Sequence, residues 1–253
     1  MQVNRSTPNI TVIVSVYKAE EFIVECLSDL ANQTIKDRLE IVIVDAASPE
    51  KEWKIIREFQ DILPNIMYIR TPSRIGIYAA WNVAIKNSSA DYITTFSTND
   101  RLCSSAYEQL SDALDFNPEI MLVYGDTYLT ATPHQTFECH DRIGEYRWPH
   151  YSYEYLVATN CVGPHPMWRR TVHNSIGYFD EQYVALADQE LWLRVGEKFG
   201  MLHIPLVTGL YWLSDQGISH QQQIADAEFR EIRGRYARRY LNSLAQNKGA
   251  LKS

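Results

Sequence analysis

The chain has 253 residues, of which 45% are hydrophobic and 22% charged, an ordinary globular composition that excludes disordered and collagen-like classes. A formal net charge of −7 argues against nucleic-acid binding by bulk phosphate neutralisation. No apolar run approaches the roughly 20 residues of a membrane span, and the polar stretch Met1 to Asn9 lacks the apolar region of a secretion signal. Cys26, Cys103, Cys139 and Cys161 form no C-x-x-C pair, so free thiols in a reducing cytoplasm are the expectation.

The first half alternates strand and helix signals. Ile10 to Val16 is a β-branched run, and Glu20 to Ala31 carries Ile23, Leu27 and Leu30 at helical spacing. Glu40 to Asp45 is an apolar run ending in an acid. Lys51 to Gln60 is predicted helical, with Trp53, Ile56 and Phe59 on one side. Asn65 to Arg70 reads as a strand, Tyr78 to Lys86 as a helix, Asp91 to Phe96 as a strand, Ser104 to Phe116 as a serine-capped helix and Ile120 to Tyr124 as a fifth strand. The second half is less regular. It holds an aromatic stretch (Tyr146, Trp148, Tyr151, Tyr153, Tyr155), a predicted helix from Asp188 to Phe199, and a predicted strand from Leu206 to Leu213. From Gln222 onwards one amphipathic helix is predicted, with Ala225, Phe229, Ile232, Tyr236, Tyr240 and Leu244 on one stripe.

This alternation predicts an α/β domain with a mostly parallel sheet covered on both faces. Ligands of such sheets bind at the carboxyl ends of the strands, which points to Tyr17, Asp45, Arg74 and the run Ser97 to Asp100. Neither G-x-G-x-x-G nor a P-loop is present, which disfavours dinucleotide and NTPase readings. No G-x-S-x-G supplies a hydrolase nucleophile. What remains are acids at strand ends and helix starts: Asp45, Asp100, Asp188 and Glu190. Clustered at one edge they could bind a hard cation; singly, each serves equally well as a loop or cap residue.

The order of these pieces resembles the family-2 glycosyltransferases of the GT-A fold. Thr11 to Tyr17 is similar to the opening strand and turn, Asn32-Gln33-Thr34 to the N-Q-T, and Glu40 to Asp45 to the second strand. Arg74 to Asn82 resembles the N-x-G-x-x-x-A-R-N segment, and Ser97 to Leu102 stands where the family has its D-x-D. Gly177 to Glu181 and Ala187 to Arg194 resemble the G-x-F-D-E and E-D-x-x-L-W-x-R segments. The sequence departs in three places. Ala46 replaces a second acid that commonly pairs with uracil, Ser97 and Asn99 stand at the two D-x-D acids, and Ala187 precedes Asp188.

The resemblance implies an inverting transfer from a nucleotide sugar, UDP- or dTDP-linked, to a hydroxyl on a growing glycan, lipid-linked sugar or protein. It implies Asp188 as general base, Asp100 as ligand of Mg²⁺ or Mn²⁺, and Asn99 as a ribose or metal-shell contact. Tyr17 and Asp45 would meet the nucleotide base, Arg74 the diphosphate or base, and His220 the metal. Residues 1–130 would form the donor half, residues 131–220 the acceptor and base half, and residues 221–253 a terminal helix. Trp168 and part of the aromatic stretch are candidates for stacking on sugar rings. Arg230, Arg233, Arg235, Arg238 and Arg239 read either as a solvated helix face or as a strip for an anionic acceptor or the inner membrane face. A catalytically degenerate sugar- or partner-binding relative, and a sugar nucleotidyltransferase, are the competing readings.

Overall fold

The computed structural model describes residues 9–214 and 222–250. Among these residues one sheet has nine strands: β1 (Ile10–Val16), β2 (Leu39–Asp45), β3 (Ile66–Arg70), β4 (Tyr92–Thr95), β5 (Arg101–Leu102), β6 (Ile120–Thr130), β7 (Gly144–Tyr146), β8 (Met167–Arg169) and β9 (Gly200–Trp212). The spatial order is β3-β2-β1-β4-β8-β6-β9-β5, with β7 paired to β6. β3, β2, β1 and β4 run parallel, and so do β6 and β9. The short β8 is antiparallel to both β4 and β6 and joins the two parallel blocks. The result is a mixed α/β sheet of the GT-A type, with four parallel and four antiparallel pairings where the sequence predicts a mostly parallel sheet, followed by the helix α8.

The helices are α1 (Ile23–Ala31), α2 (Glu52–Phe59), α3 (Ile77–Lys86), α4 (Ala106–Phe116), α5 (Tyr153–Ala158), α6 (Val172–Ile176), α7 (Ala187–Gly196) and α8 (Gln222–Ala250). Among the described residues no helix is long and apolar enough to cross a membrane. The helices divide between the two sheet faces because strand side chains alternate. In β1, Val12 and Val14 face the core shared with α1, α2 and α4, while Ile13 faces the core shared with α3, α5, α7 and α8. A strand buried on both faces needs a near-continuous apolar run, and Ile10 to Val16 supplies one broken only by Thr11 and Ser15.

Several elements differ from expectation. β6 continues past Tyr124 to Thr130, and β9 begins at Gly200, because the two pair along most of their length through register shifts that absorb polar residues. α4 begins at Ala106, and no serine side chain caps it; the Ser105 hydroxyl instead accepts from Gln109 Nε2 at 2.9 Å. Trp53 is 39% exposed, with Lys54 and Arg57 over its ring, so only Ile56 of the expected α2 face is fully packed. On α8, Ile232 and Tyr236 are buried, whereas Leu241 and Leu244 lie exposed.

Candidate donor and catalytic site

Two tight turns shape the carboxyl edge of β1 and β2. Lys18 (φ 54°) and Ala47 (φ 56°) both adopt the left-handed backbone that non-glycine residues visit at a cost. A buried network holds them there. Ser48 Oγ accepts from Lys18 N at 3.0 Å and donates to Glu52 Oε1 at 2.7 Å. Glu52 Oε1 also accepts from Ala19 N at 2.9 Å. Asp45, fully buried, accepts from Ser48 N at 2.7 Å through Oδ1, while its Oδ2 takes the Tyr68 hydroxyl and the Arg70 guanidinium. Burial, then the Asp45 bond, pushes the Tyr68 hydroxyl up to about 12. The Asp45 carboxylate is thus engaged inside the protein on both oxygens.

Tyr17 follows β1 and is half-buried. The Arg74 guanidinium stacks over its ring, 4.2 Å from the centroid, which joins the turn after β1 to the segment entering α3. Four residues on, Tyr78 is buried and donates its hydroxyl toward Ala185 O at 2.7 Å and Asp188 Oδ1 at 3.1 Å. One proton serves both acceptors, so it is shared.

Asp188 sits in the first turn of α7. Its Oδ1 also accepts from Gln189 N at 2.8 Å, and its Oδ2 has no hydrogen-bond partner among the described residues. Burial raises the Asp188 carboxyl above the usual range; the Gln189 N–H and Tyr78 hydroxyl oppose this, and the Glu228 charge adds to it. Glu190, two residues on, is spent elsewhere. It pairs with Arg194 at 2.7 Å and Arg235 at 3.3 Å, and accepts from the Tyr236 hydroxyl at 2.7 Å.

The turn after β4 places Ser97 at the surface and Asn99 half-buried, while the Asp100 side chain is only 2% exposed. Asp100 Oδ1 lies 3.4 Å from Trp212 N, and its Oδ2 lies 3.6 Å from Nε2 of the buried His165. Neither ring nitrogen of His165 has a hydrogen-bond partner among the described residues. An imidazole with both nitrogens orphaned beside a carboxylate oxygen is a donor pair that fits a divalent cation as two of its ligands. Among the described residues no larger group of His, Cys, Asp and Glu converges on a metal position. His220 lies outside the described residues.

Other expected contacts are redistributed. Trp168 is not free to stack on a sugar. It is a fully buried β8 residue packed edge-on against Trp192 and Phe179, with Nε1 donating to His173 Nε2 at 3.0 Å. Trp148, Tyr151 and Tyr153 pack against the core, leaving Tyr146 and Tyr155 the more exposed of the aromatic stretch. Of the five α8 arginines, Arg235 and Arg239 pair with Glu190 and Glu197, while Arg230, Arg233 and Arg238 are exposed.

Sequence reasoning missed Tyr78, Ser48, Glu52 and His165 as individual positions, although Tyr78 lies inside the Arg74 to Asn82 segment that carries the resemblance. Glu228 offers no local signal, because its partners are 42 to 44 residues away in the chain.

A mixed sheet with an aspartate at a strand end and a carboxylate opening a helix beyond it defines an α/β fold whose candidate site lies at the strand ends. The family model for "Glycosyl transferase family 2" matches residues 11–172, and the chain belongs to that family. Chondroitin synthase of Escherichia coli is 26% identical over 205 residues, covering 79% of this chain; the chain spans 28% of that relative's length. Among solved structures, S. aureus TarS 1-349 in complex with UDP superposes with a TM-score of 0.67 at 18% identity, covering 97% of this chain and 75% of that one. The mannosyltransferase PcManGT of Pyrobaculum calidifontis, in complex with GDP-Man and Mn²⁺, does so with a TM-score of 0.66 at 16% identity, covering 92% and 65%.

Proposed function

We propose that this chain transfers a glycosyl unit from a nucleoside diphosphate sugar to an acceptor hydroxyl with inversion, and that Asp188 is the general base. The observation that carries this reading is the Tyr78 bridge. The helix that starts beside the Tyr17–Arg74 stack holds the Asp188 segment by a hydroxyl, and so ties a donor edge to a base. In the transfer the acceptor oxygen attacks the anomeric carbon, its proton passes to Asp188 Oδ2, and the bond from that carbon to the diphosphate oxygen breaks. A carboxyl raised above the usual range is, when ionised, a stronger base than a solvated one. Oδ1 is held by Gln189 N and Tyr78, which leaves Oδ2 to receive the proton.

Tyr17 and Arg74 would hold the nucleotide, the ring by stacking and the guanidinium by its match to phosphate oxygens. Asp45, buried and engaged on both oxygens, would contribute through the turn it braces rather than by meeting the nucleotide base. Asn99, in the turn after β4, would meet the ribose. A divalent cation, when bound, neutralises charge on the leaving diphosphate; Asp100, His165 and the segment with His220 would hold it. Residues 1–130 would serve the donor and residues 131–220 the acceptor. The exposed Arg230, Arg233 and Arg238 would face an anionic acceptor or a membrane surface.

The uncharged Ser97 and Asn99 at the cation turn favour one rival, a relative that binds but does not transfer. Calorimetry with UDP, dTDP and GDP, with and without Mn²⁺, combined with nucleotide release from their sugars, separates the two. Binding with turnover supports transfer. Binding without turnover for every donor and acceptor offered, or no binding at all, overturns it.

A further inference from the structure

The first turn of a helix leaves backbone N–H groups without partners, and a side chain just before it usually satisfies one of them. α7 has no such local cap: Leu186 stands at its N-cap position and makes no side-chain hydrogen bond. A carboxylate from α8 instead holds the segment that leads into the helix, up to its N-cap residue. Glu228 Oε1 accepts from Val184 N at 2.6 Å, and its Oε2 accepts from Ala185 N and Leu186 N, both at 2.9 Å. Three successive N–H groups converging on one carboxylate form a charge-assisted nest, with its anion supplied from another helix. Asp188 follows two residues later.

The same helix grips the chain on both sides of this nest. Upstream, Tyr183 donates to Glu231 Oε1 at 2.9 Å and accepts from Arg235 at 3.0 Å. Downstream, Tyr236 and Arg235 hold the buried Glu190. Ala185, whose N–H meets Glu228, also presents its carbonyl to the Tyr78 hydroxyl that reaches Asp188 Oδ1. The base is therefore bracketed by α8 and tied to α3.

We propose that Glu228 is the positioning residue of the Asp188 base: its carboxylate fixes residues 184–186 and, through them, where the base oxygen points. This rests on the reading of Asp188 as base. The titratable groups that face Asp188 are the Tyr78 hydroxyl from α3 and the Glu228 carboxylate from α8. Glu228 therefore acts in two ways, by hydrogen bonds to the backbone and by a like charge that adds, after burial, to the rise of the Asp188 carboxyl. A scaffold residue would act in only the first.

The test compares Glu228→Gln with Glu228→Asp and with Glu231→Gln, a variant of the same helix whose carboxylate accepts from Tyr183 and from none of residues 184–188. The Asp188 carboxyl is titrated in each variant of the whole chain by ¹³C NMR, assigned by the signal that Asp188→Asn removes. Backbone exchange is followed at residues 184–188. Turnover is read as nucleoside diphosphate release from UDP-glucose, UDP-N-acetylglucosamine and GDP-mannose. Glu228→Gln keeps one acceptor oxygen and places an NH₂ against a backbone donor. We expect faster exchange at residues 184–186, an Asp188 titration moved to lower pH, and kcat lowered by about tenfold or more with KM for the donor nearly unchanged. Glu228→Asp keeps the charge and should restore part of the titration shift; Glu231→Gln should leave the titration in place. Exchange at residues 184–186 and a kcat that both stay at wild-type values in Glu228→Gln overturn the proposal, whatever happens to Tm. If the titration moves but Asp188→Asn still transfers sugar, the base reading fails while the brace stands.

Discussion

Asp188 and Glu190 lie two residues apart on one helix, and opposite consequences should follow when each loses its charge. Asp188→Asn keeps an acceptor for Gln189 N–H and removes the basic lone pair. The loss expected in kcat is about a hundred- to ten-thousand-fold, or roughly 3–5 kcal/mol of barrier. Stability should move the other way. Burial holds the folded-state pKa of Asp188 above its unfolded value, so its ionised form opposes folding, increasingly so as pH rises from the unfolded pKa to the folded one. Asp188→Asn should therefore have a Tm equal to or above wild type at pH 8, with the two converging near pH 3. Glu190→Gln should do the reverse. Its side chain is 5% exposed and is held by Arg194, Arg235 and Tyr236. Breaking a fully buried pair costs about 3–5 kcal/mol, but Arg194 and Arg235 are 20% and 36% exposed and glutamine keeps one acceptor oxygen. About 1–2 kcal/mol remains, or roughly 2–8 °C in Tm for a domain of this size. Differential scanning calorimetry at pH 3, 6 and 8, beside transfer assays below the lower Tm, reads both axes. Equal loss of activity in the two variants, a lowered Tm for Asp188→Asn at pH 8, or a product that keeps the donor's anomeric configuration would refute this assignment.

Arg74→Ala removes the cation over Tyr17 and the proposed phosphate fork; the Kd for the nucleoside diphosphate should rise about tenfold or more, read by calorimetry, with Tm unchanged. Asp100→Asn should weaken Mn²⁺ binding measured by electron paramagnetic resonance in the presence of the diphosphate, and EDTA should depress wild-type turnover; turnover indifferent to EDTA removes the cation from the scheme. Ala47→Gly relieves a left-handed residue at φ 56° and should raise stability by about 1 kcal/mol, a Tm gain of about 2–4 °C, provided the Ser48 network holds the turn. Trp168→Ala should cost about 3–5 kcal/mol as a large core truncation. A stable Trp168→Ala protein that loses only acceptor affinity would contradict its place in β8.

The first half was legible because its leading strands are apolar and buried on both faces, so Ile10 to Val16 and Ile41 to Val44 carry their structure in composition alone. The second half was harder to read for local reasons. β8 is three residues long, Met167–Arg169, too short for a period to emerge, and its tryptophan looked like a ligand platform. In β6, Gly125 and Asp126 interrupt the apolar run, yet the strand persists. Thr208 hydroxyl donates to Asp126 O at 3.2 Å, and Asp126 Oδ1 takes Trp148 N at 3.0 Å and lies 2.8 Å from His203 Nε2. Motif order singles out Tyr17, Arg74 and Asp188 as candidates, since each belongs to a recognisable run. The network that immobilises them was not legible. Glu52 reaches Ala19 across 33 residues and Glu228 reaches the turn before α7 across more than 40, and no local pattern encodes such pairings.

The distance in sequence between α8 and the segment it holds before α7 also bears on synthesis. As the chain emerges from the ribosome, β1 to β4 can pair, and the turns after β1 and β2 can lock, using no residue later than Thr95 at the end of β4. Val184, Ala185 and Leu186, by contrast, wait for residue 228, and the buried Glu190 waits for Arg235 and Tyr236. The turns after β1 and β2 are thus complete well before the segment entering α7 is held, and a nascent or truncated product ending before α8 would carry the first without the fixed start of the second.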